Sequence, residues 1–332
     1  MDTLKSNIQK LCKLYNIYPS KSKGQNFLVD EDAYGKIIQY AQLSDKDTVL
    51  EIGPGFGTLT AFLAQKAKKV IAIEVDKKLV EMLSAQLHNF KNIQIVHGDI
   101  LKLNALGLGL TTYKVVANLP DNITSHFLRK FLTLPFSPSS VPTDVGTPSP
   151  VQGEGISLPS LPLGGGGIEG EGEVILSKPS SMILMLQKEV AERVCAKTGE
   201  MSMLSFSVQF YAQAEIMENV SKENFWPEPK VDSAIIKIVP YKKEKIEALL
   251  KNAGIDEKLL FRVAKWGFSS RRKQLHNNIT SGIFTLLKRK ATLQELELIF
   301  QMSKIHPQLR AQDLSIRDWL NLACAIHEKF KV

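Results

Sequence analysis

Short, almost wholly apolar runs recur through the first 240 residues, separated by stretches whose apolar positions fall at helical spacing. TVLEIG, starting at Thr48, is followed by a glycine-rich turn, a helix predicted from about Thr58 to Ala67, and a second apolar run, KVIAIEVD. The same order continues with a predicted helix over 77–87, the strand NIQIVHGD (92–99), and YKVVANLP (113–120), after which another helix is expected. SMILMLQKEVAERVCAK (181–197) reads as a strand running into a helix, and MLSFSVQFYAQAEIM and DSAIIKIVPY as two further strand-like runs. Consecutive apolar residues bounded by turn residues fit strands buried on both faces. Their alternation with helices calls for a doubly wound, mostly parallel α/β sheet.

Beyond Pro240 the period changes. KKEKIEALLKNAG, EKLLFRVAKWGF, SGIFTLLKRK, TLQELELIFQ and SIRDWLNLACAIHEKF all space their apolar residues for helices, and Thr292 and Ser315 stand where a hydroxyl would cap free amides. The expected division is an α/β domain over 1–244 and a smaller all-α domain over 245–332. Residues 136–178 fit neither: they are rich in Pro, Gly and Ser, nearly free of Lys and Arg, and too poor in apolar side chains to offset the entropy of ordering them. That stretch is expected to be a disordered insertion.

Candidate chemistry begins with EIGPGFGTLT. Gly53, Gly55 and Gly57 lie between a strand and a helix, where glycine allows a tight turn and close approach of backbone to a ligand. The spacing departs from the dinucleotide fingerprint G-x-G-x-x-G by one residue, yet Glu74 ends the following strand, where a carboxylate accepts hydrogen bonds from ribose hydroxyls. Strand, turn, helix, strand and acid in that order point to a nucleoside cofactor. Asp99, ending the next strand, is placed either to accept from an adenine amino group or to serve as a turn or helix-cap residue.

The net charge of +8 favours a polyanionic partner. Its location says more: KWGFSSRRKQLHNN (265–278) gathers Arg271, Arg272 and Lys273, the candidates for phosphate contact, while Trp266 and Phe268 are expected in the core. Three widely spaced cysteines form no Cys-x-x-Cys pair, which suits reduced thiols in a cytoplasm and no metal site. No apolar run is long enough for a membrane span and the basic N-terminus lacks the features of a secretory signal.

VLEIGPGFGTLT, IEVD, GDIL, ANLP and FWPEPKVDSAIIKI, in this order, resemble the rRNA adenine N6-dimethyltransferases, and KSKGQNFLVD, FSSRRKQLHNN and AQDLSIRDWLNLA extend the likeness. The resemblance covers nearly all of the chain except 136–178. Its helical half is more similar to the bacterial small-subunit (16S) rRNA enzymes than to the antibiotic-resistance enzymes of large-subunit rRNA. It implies a Rossmann-like S-adenosylmethionine-dependent methyltransferase sheet, with Asn26 and Leu28 over the methionine side of the cofactor, Gly53 and Gly55 in the glycine loop, Glu74 on the ribose and Asp99 on the adenine. Asn118 would stand between cofactor and target base. The N6 amine of adenine is a poor nucleophile because its lone pair is delocalised into the ring. Accepting its hydrogens at the Asn118 side-chain oxygen and the Leu119 or Pro120 carbonyl positions it for attack on a methyl group without metal or covalent intermediate.

One residue departs from the family pattern. Where an aromatic ring ordinarily follows Asn-Leu-Pro and stacks on the flipped base, this chain has Asp121, leaving Phe225 of F-x-P-x-P-x-V-D-S as the other stacking position. Two readings therefore stand beside each other. One is an active enzyme acting on two adjacent adenines near the 3′ end of 16S rRNA in the small ribosomal subunit or its precursor, monomeric and cytoplasmic. The other is a ribosome-assembly factor of the same fold with weakened catalysis. A large-subunit rRNA methyltransferase is disfavoured by the motifs of the helical half.

Overall fold

The computed structural model describes residues 3–19, 25–102, 110, 112–120, 122–134 and 177–332. In chain order its elements are α1 (Leu4–Tyr15), β1 (Phe27–Leu28), α2 (Glu31–Ala41), β2 (Thr48–Ile52), α3 (Thr58–Ala64), β3 (Lys69–Glu74), α4 (Lys77–Gln86), β4 (Ile93–His97), β5 (Lys114–Asn118) and α5 (Thr124–Leu132). There follow β6 (Ser181–Gln187), α6 (Lys188–Val194), α7 (Met203–Tyr211), β7 (Ala212–Val220), β8 (Phe225–Trp226) and β9 (Ser233–Pro240). The remaining helices are α8 (Lys243–Ala253), α9 (Glu257–Gly267), α10 (Leu275–Leu287), α11 (Leu293–Ser303) and α12 (Ile316–Phe330). Among the described residues no helix is long and apolar enough to cross a membrane.

Seven strands form one sheet in the order β4-β3-β2-β5-β6-β9-β7. The first five pair in parallel, as the β-α alternation requires, while β9 and β7 join antiparallel. Successive residues of the central strands enter different cores. Val49, Val70, Val116 and Ile183 pack beneath α2 and α3, whereas Leu50, Ile71, Val115 and Leu184 belong to the opposite face with Phe127, Phe131, Phe206 and Phe210. Both faces being covered explains why these strands read as unbroken apolar runs. The order reverses beside β2, where α-helical crossovers leave on opposite sides, so a crevice opens at the carboxyl ends of β2 and β5.

The stretch MLSFSVQFYAQAEIM is not one strand. Its first nine residues form α7, started by a capping box in which the Ser202 and Ser205 side chains bond each other's backbone amides, and only from Ala212 is it a strand. The helix lies between the sheet and the C-terminal helices, with Phe206, Val208, Phe210 and Tyr211 all buried, so it lacks the polar face that would show a helical period. The predicted helix over SGIFTLLKRK likewise begins earlier, at Leu275, and ends at Leu287. Thr292 and Ser315 both close capping boxes, with Glu295 and Asp318. Residues 136–176, expected to be disordered, lie outside the described residues. Ser177 and Lys178, included in that stretch, are anchored: the Tyr113 hydroxyl donates to Ser177 O at 2.8 Å and Lys178 Nζ stands 4.9 Å from the centre of the Tyr211 ring.

From Lys243 onward the chain is helical, and the expected 244/245 boundary falls in the first turn of α8. The helices share their core with the sheet. Phe206 meets Trp319 edge-on at 6.0 Å between ring centres, Tyr211 donates a short hydrogen bond to Glu257 Oε1, and Phe261 packs on Phe206, Phe210 and Tyr211. Trp319, wholly buried, presses on α9 where Gly267 offers no side chain; a Cβ there would stand 2.2 Å from its Cη2.

Candidate active site

A cleft of about 410 Å³ opens at the carboxyl ends of the parallel strands. Asn26, Gly53, Gly55, Glu74, Asp99, Asn118, Leu119, Pro120 and Phe225 all line it, although they come from six separate parts of the chain. Its size is that of a pocket for one small organic ligand.

The glycine turn forms the back wall. Gly53 and Gly55 adopt φ of +66° and +58°, a region costly for any residue with a Cβ. An added Cβ at Gly55 would lie 3.0 Å from Phe27 Cε1, whereas one at Gly53 would meet nothing within 4 Å and would project into open space. Glu74, 5% exposed, turns its carboxylate onto this loop: Gly55 N–H donates to Oε2 at 3.3 Å, and the Val75 and Asp76 N–H groups donate to Oε1 at 2.9 Å each. Burial pushes its carboxyl above the ordinary carboxylate range, and those three amides draw it back. Oε1 has both of its acceptor positions taken, and Oε2, with one donor, keeps acceptor capacity for a ligand hydroxyl. Beneath the turn, Glu51 of β2 is fully enclosed; burial raises its carboxyl to about 8, against the downward pull of the Thr60 hydroxyl.

Asp99 is a turn residue at the rim of the cleft. It lines the cleft, and its Oδ1 accepts the Leu101 N–H at 2.9 Å in an Asx turn. Lys130 of α5 clamps the same turn by donating to Ile100 O and Leu101 O at 3.0 and 2.9 Å. Val75, 61% exposed, and Ile100 give the cleft apolar walls on either side of these acids. Asn26 reaches the cleft because β1 pairs antiparallel with β8, Phe27 facing Trp226 and Leu28 facing Phe225. Leu28 does not line it. The Leu28 side chain is buried in the core under α2, and its carbonyl accepts the Tyr34 hydroxyl at 3.0 Å, so it anchors the strand that carries Asn26.

Asn118 is the last residue of β5, half-buried, and no hydrogen bond engages its side-chain amide among the described residues. Leu119 N–H donates to Met185 O at 3.1 Å, tying the Asn-Leu-Pro turn to β6. The Pro120 carbonyl already accepts from Ile123 N–H and the Thr124 hydroxyl, both at 3.2 Å, where α5 begins. Phe225 is buried at 5% exposure with its accessible part on the cleft, beside Pro229 and Val231. Asp121 lies outside the described residues.

The basic candidates are elsewhere. Arg271, Arg272 and Lys273 are exposed in the loop between α9 and α10, not in the cleft. Asn278, buried, ties that loop together by donating to Gly267 O at 2.6 Å and Ser270 O at 3.0 Å. The first amides of α10 are taken up by another loop, Leu275 N–H donating to Leu309 O at 2.7 Å and His276 N–H to Pro307 O at 3.2 Å. This brings Lys304 and Arg310, both exposed, onto the neighbouring loop. Trp266 and Phe268 pack against the core as expected, Phe268 lying 5.1 Å from Trp319 between ring centres.

Several cleft residues were given no role from the sequence: Val75, Ile100, Pro229 and Val231 stand inside the quoted motifs, and Gln187 outside them. They meet only because distant strands end together.

The family model of ribosomal RNA adenine dimethylases matches residues 19–328. A ribosomal RNA small subunit methyltransferase A of Dehalococcoides mccartyi is 33% identical, covering 96% of this chain and 92% of that relative. One of Geobacillus sp. is 32% identical over 96% of this chain and 95% of its own length. Among solved structures, a dimethyladenosine transferase from Plasmodium falciparum superposes with a TM-score of 0.63 at 24% identity, covering 91% of this chain and 98% of that one. The 23S rRNA methyltransferase ErmE superposes at 0.59 with 20% identity, covering 92% and 100%, and so shares the fold.

Proposed function

The chain belongs to the ribosomal RNA adenine dimethylase family and is an S-adenosylmethionine-dependent rRNA adenine dimethyltransferase; we propose that it methylates N6 of two adjacent adenines near the 3′ end of 16S rRNA, in the small ribosomal subunit or its precursor. We propose further that it works as a cytoplasmic monomer. The observation that carries the reading is the meeting of Glu74, Asp99, Asn118 and Phe225 in a single cleft.

The residues present suit the cofactor. Open space at Gly53, a buried carboxylate with spare acceptor capacity at Glu74 and an acid at Asp99 match a backbone-contacted methionine portion, a ribose and an adenine amino group in turn. Asn26 would close over the methionine portion. S-adenosylmethionine, when bound, supplies an electrophilic methyl group on a sulfonium. The protein's part is positioning. Asn118 Oδ1 accepts one hydrogen of the target amine. The Leu119 carbonyl is the better second acceptor, because both acceptor positions of the Pro120 carbonyl are occupied at the head of α5. Two acceptors orient the nitrogen lone pair toward the cofactor side, and Phe225 packs on a face of the base. The helical unit from 243 onward would grip RNA through Arg271, Arg272 and Lys273.

The test is transfer of labelled methyl groups from S-adenosylmethionine to unmethylated small ribosomal subunits, mapped on the rRNA. Incorporation as dimethyladenine at two neighbouring positions near the 3′ end is expected; none at all, or incorporation only in large subunits, would sink the assignment. The same assay with Asp121→Tyr separates the two catalytic readings. Restored base stacking is expected to raise transfer by about 5- to 150-fold, from roughly 1–3 kcal/mol of stacking. A silent wild type beside an active Asp121→Tyr protein would identify an assembly factor. Replacing Arg271, Arg272 and Lys273 together with Ala is expected to weaken subunit binding and to reduce the slope of log affinity against log salt by about 2–3. An unchanged slope in a salt titration would remove these residues from the RNA contact.

A further inference from the structure

Beneath the glycine turn lies a second, smaller cavity of about 40 Å³, bordered by Glu51, Thr58, Tyr34, Met185 and Asn118 among others. The volume is enough for one or two water molecules. Glu51 and Asn118 reach it from neighbouring strands. Glu51 stands opposite Val116 in the parallel register of β2 and β5, and Asn118 lies two residues beyond Val116. Val49 and Val116 both project toward α2 and α3, so the alternation of a strand turns Glu51 and Asn118 to that same face. Strand spacing and a two-residue advance put their Cα atoms about 8 Å apart, a gap that one water closes between two side chains.

Each side chain has an unmet need. Glu51 is 1% exposed, and its Oε2 has no hydrogen-bond partner among the described residues. The Thr60 hydroxyl lies near the carboxyl but is itself without a partner, so it does not satisfy that oxygen. A buried polar atom in this state is costly, and an apolar side chain of similar size would fill the same place without that cost. Asn118 has the complementary problem. Its side-chain amide can turn either the oxygen or the NH2 group toward the target with almost the same shape. Only the orientation with Oδ1 toward the amine accepts a target hydrogen, and the reverse sets donor against donor. A population split between the two reduces the competent fraction.

We propose that Glu51 is a positioning residue for Asn118, accepting the Asn118 side-chain NH2 through a water held in the small cavity, so that Oδ1 is aimed at the target amine. This rests on the cleft being the adenine methylation site. One bridging water gives the buried carboxyl its partner and fixes the amide in the productive sense. Burial holds the Glu51 carboxyl near 8, so at neutral pH it is mostly the uncharged acid, with an acceptor oxygen and a donor hydroxyl. A glutamine offers the same pair of groups in the same shape.

The experiment follows single-turnover methyl transfer to unmethylated small subunits at saturating S-adenosylmethionine, for wild type, Glu51→Leu and Glu51→Gln, each with Asn118 intact and with Asn118→Ala. Glu51→Leu is expected to lower transfer about 10-fold, the worth of one buried contact, with the Kd for S-adenosylmethionine unchanged. Its melting temperature is expected not to fall, because an unsatisfied buried acid gives way to an apolar side chain of similar volume. That separates positioning from scaffolding. Glu51→Gln is expected to recover most of the transfer. With Asn118→Ala there is no amide to orient, so Glu51→Leu is expected to cause no further loss. Full transfer by Glu51→Leu, an equal loss in both backgrounds, or a loss confined to cofactor affinity would overturn the proposal and leave the enzyme assignment standing. If Glu51→Leu does not fold, a crystal structure of the wild-type protein with S-adenosylmethionine decides. A water bonded to both Glu51 and Asn118 Nδ2 is expected there, and a dry cavity or an Asn118 amide bonded elsewhere overturns the proposal. No transfer by wild type to normal subunits would overturn both the proposal and the enzyme assignment.

Discussion

Asn118→Ala is expected to lower single-turnover methyl transfer by about 10²–10³-fold while the Kd for S-adenosylmethionine moves only several-fold. The magnitude is that of removing one preorganised hydrogen-bonding group that acts on the reacting atom. The structure gives the reason for the split. Asn118 ends β5 with its amide uncommitted among the described residues, and its neighbours are held without it: the Leu119 N–H is on Met185 O and the Pro120 carbonyl is on α5. Truncation to Ala thus removes an acceptor from the amine and leaves the turn in place. The contacts proposed for the cofactor are Glu74, Asp99 and the glycine loop, which line the cleft apart from Asn118. A loss appearing wholly in cofactor affinity, with transfer at saturation unchanged, would assign Asn118 to the cofactor alone.

Glu74→Ala carries the second large effect, and it falls on different quantities. The carboxylate is the acceptor for the amides of Gly55, Val75 and Asp76, so its removal leaves three donors of the glycine loop and the following turn without it. Each contact to a charged acceptor is worth about 1.5–3 kcal/mol, and a ribose hydroxyl on Oε2 would lose its contact as well. The Kd for S-adenosylmethionine is expected to rise at least about 100-fold, and the melting temperature of the free protein to fall. Calorimetric titration and thermal melting measure the two separately. Intact affinity with a lowered melting temperature would make Glu74 a scaffold of the loop and move the ribose contact elsewhere.

Where local chemistry dominates, the amino-acid sequence was sufficient to place a feature. The parallel strands, the glycine turn, Glu74 at the end of β3 and the caps at Thr292 and Ser315 all depend on residues within a few positions of one another. The helix α7 was misread because burial on all sides erased its period, and the start of α10 because Asn277 and Asn278 interrupt the apolar spacing; Asn278 is in fact buried, holding the basic loop. Two-residue strands such as β1 and β8 leave no periodic trace, although their pairing is what carries Asn26 to the cleft. Gln187 was invisible for another reason. Nothing in QKEV distinguishes an idle helix start from a cleft wall until β5 and β9 flank it.

Leu119, inside the reactive turn, belongs to the same apolar cluster as Phe206, Trp319 and Val263. Trp319 in turn presses on Gly267 and Phe268, with two serines between Phe268 and Arg271. The turn that would hold the base and the loop that would hold phosphates are thus fastened to one close-packed interior, which transmits strain rather than yielding to it. On the proposed roles such a molecule would work as a caliper with its jaws locked. On the proposed reading an adenine would be selected by span: one whose surrounding RNA folds to the caliper's opening would reach Asn118 while the phosphates are held. The assembly state of the subunit, which sets that span, would then become part of what the enzyme recognises.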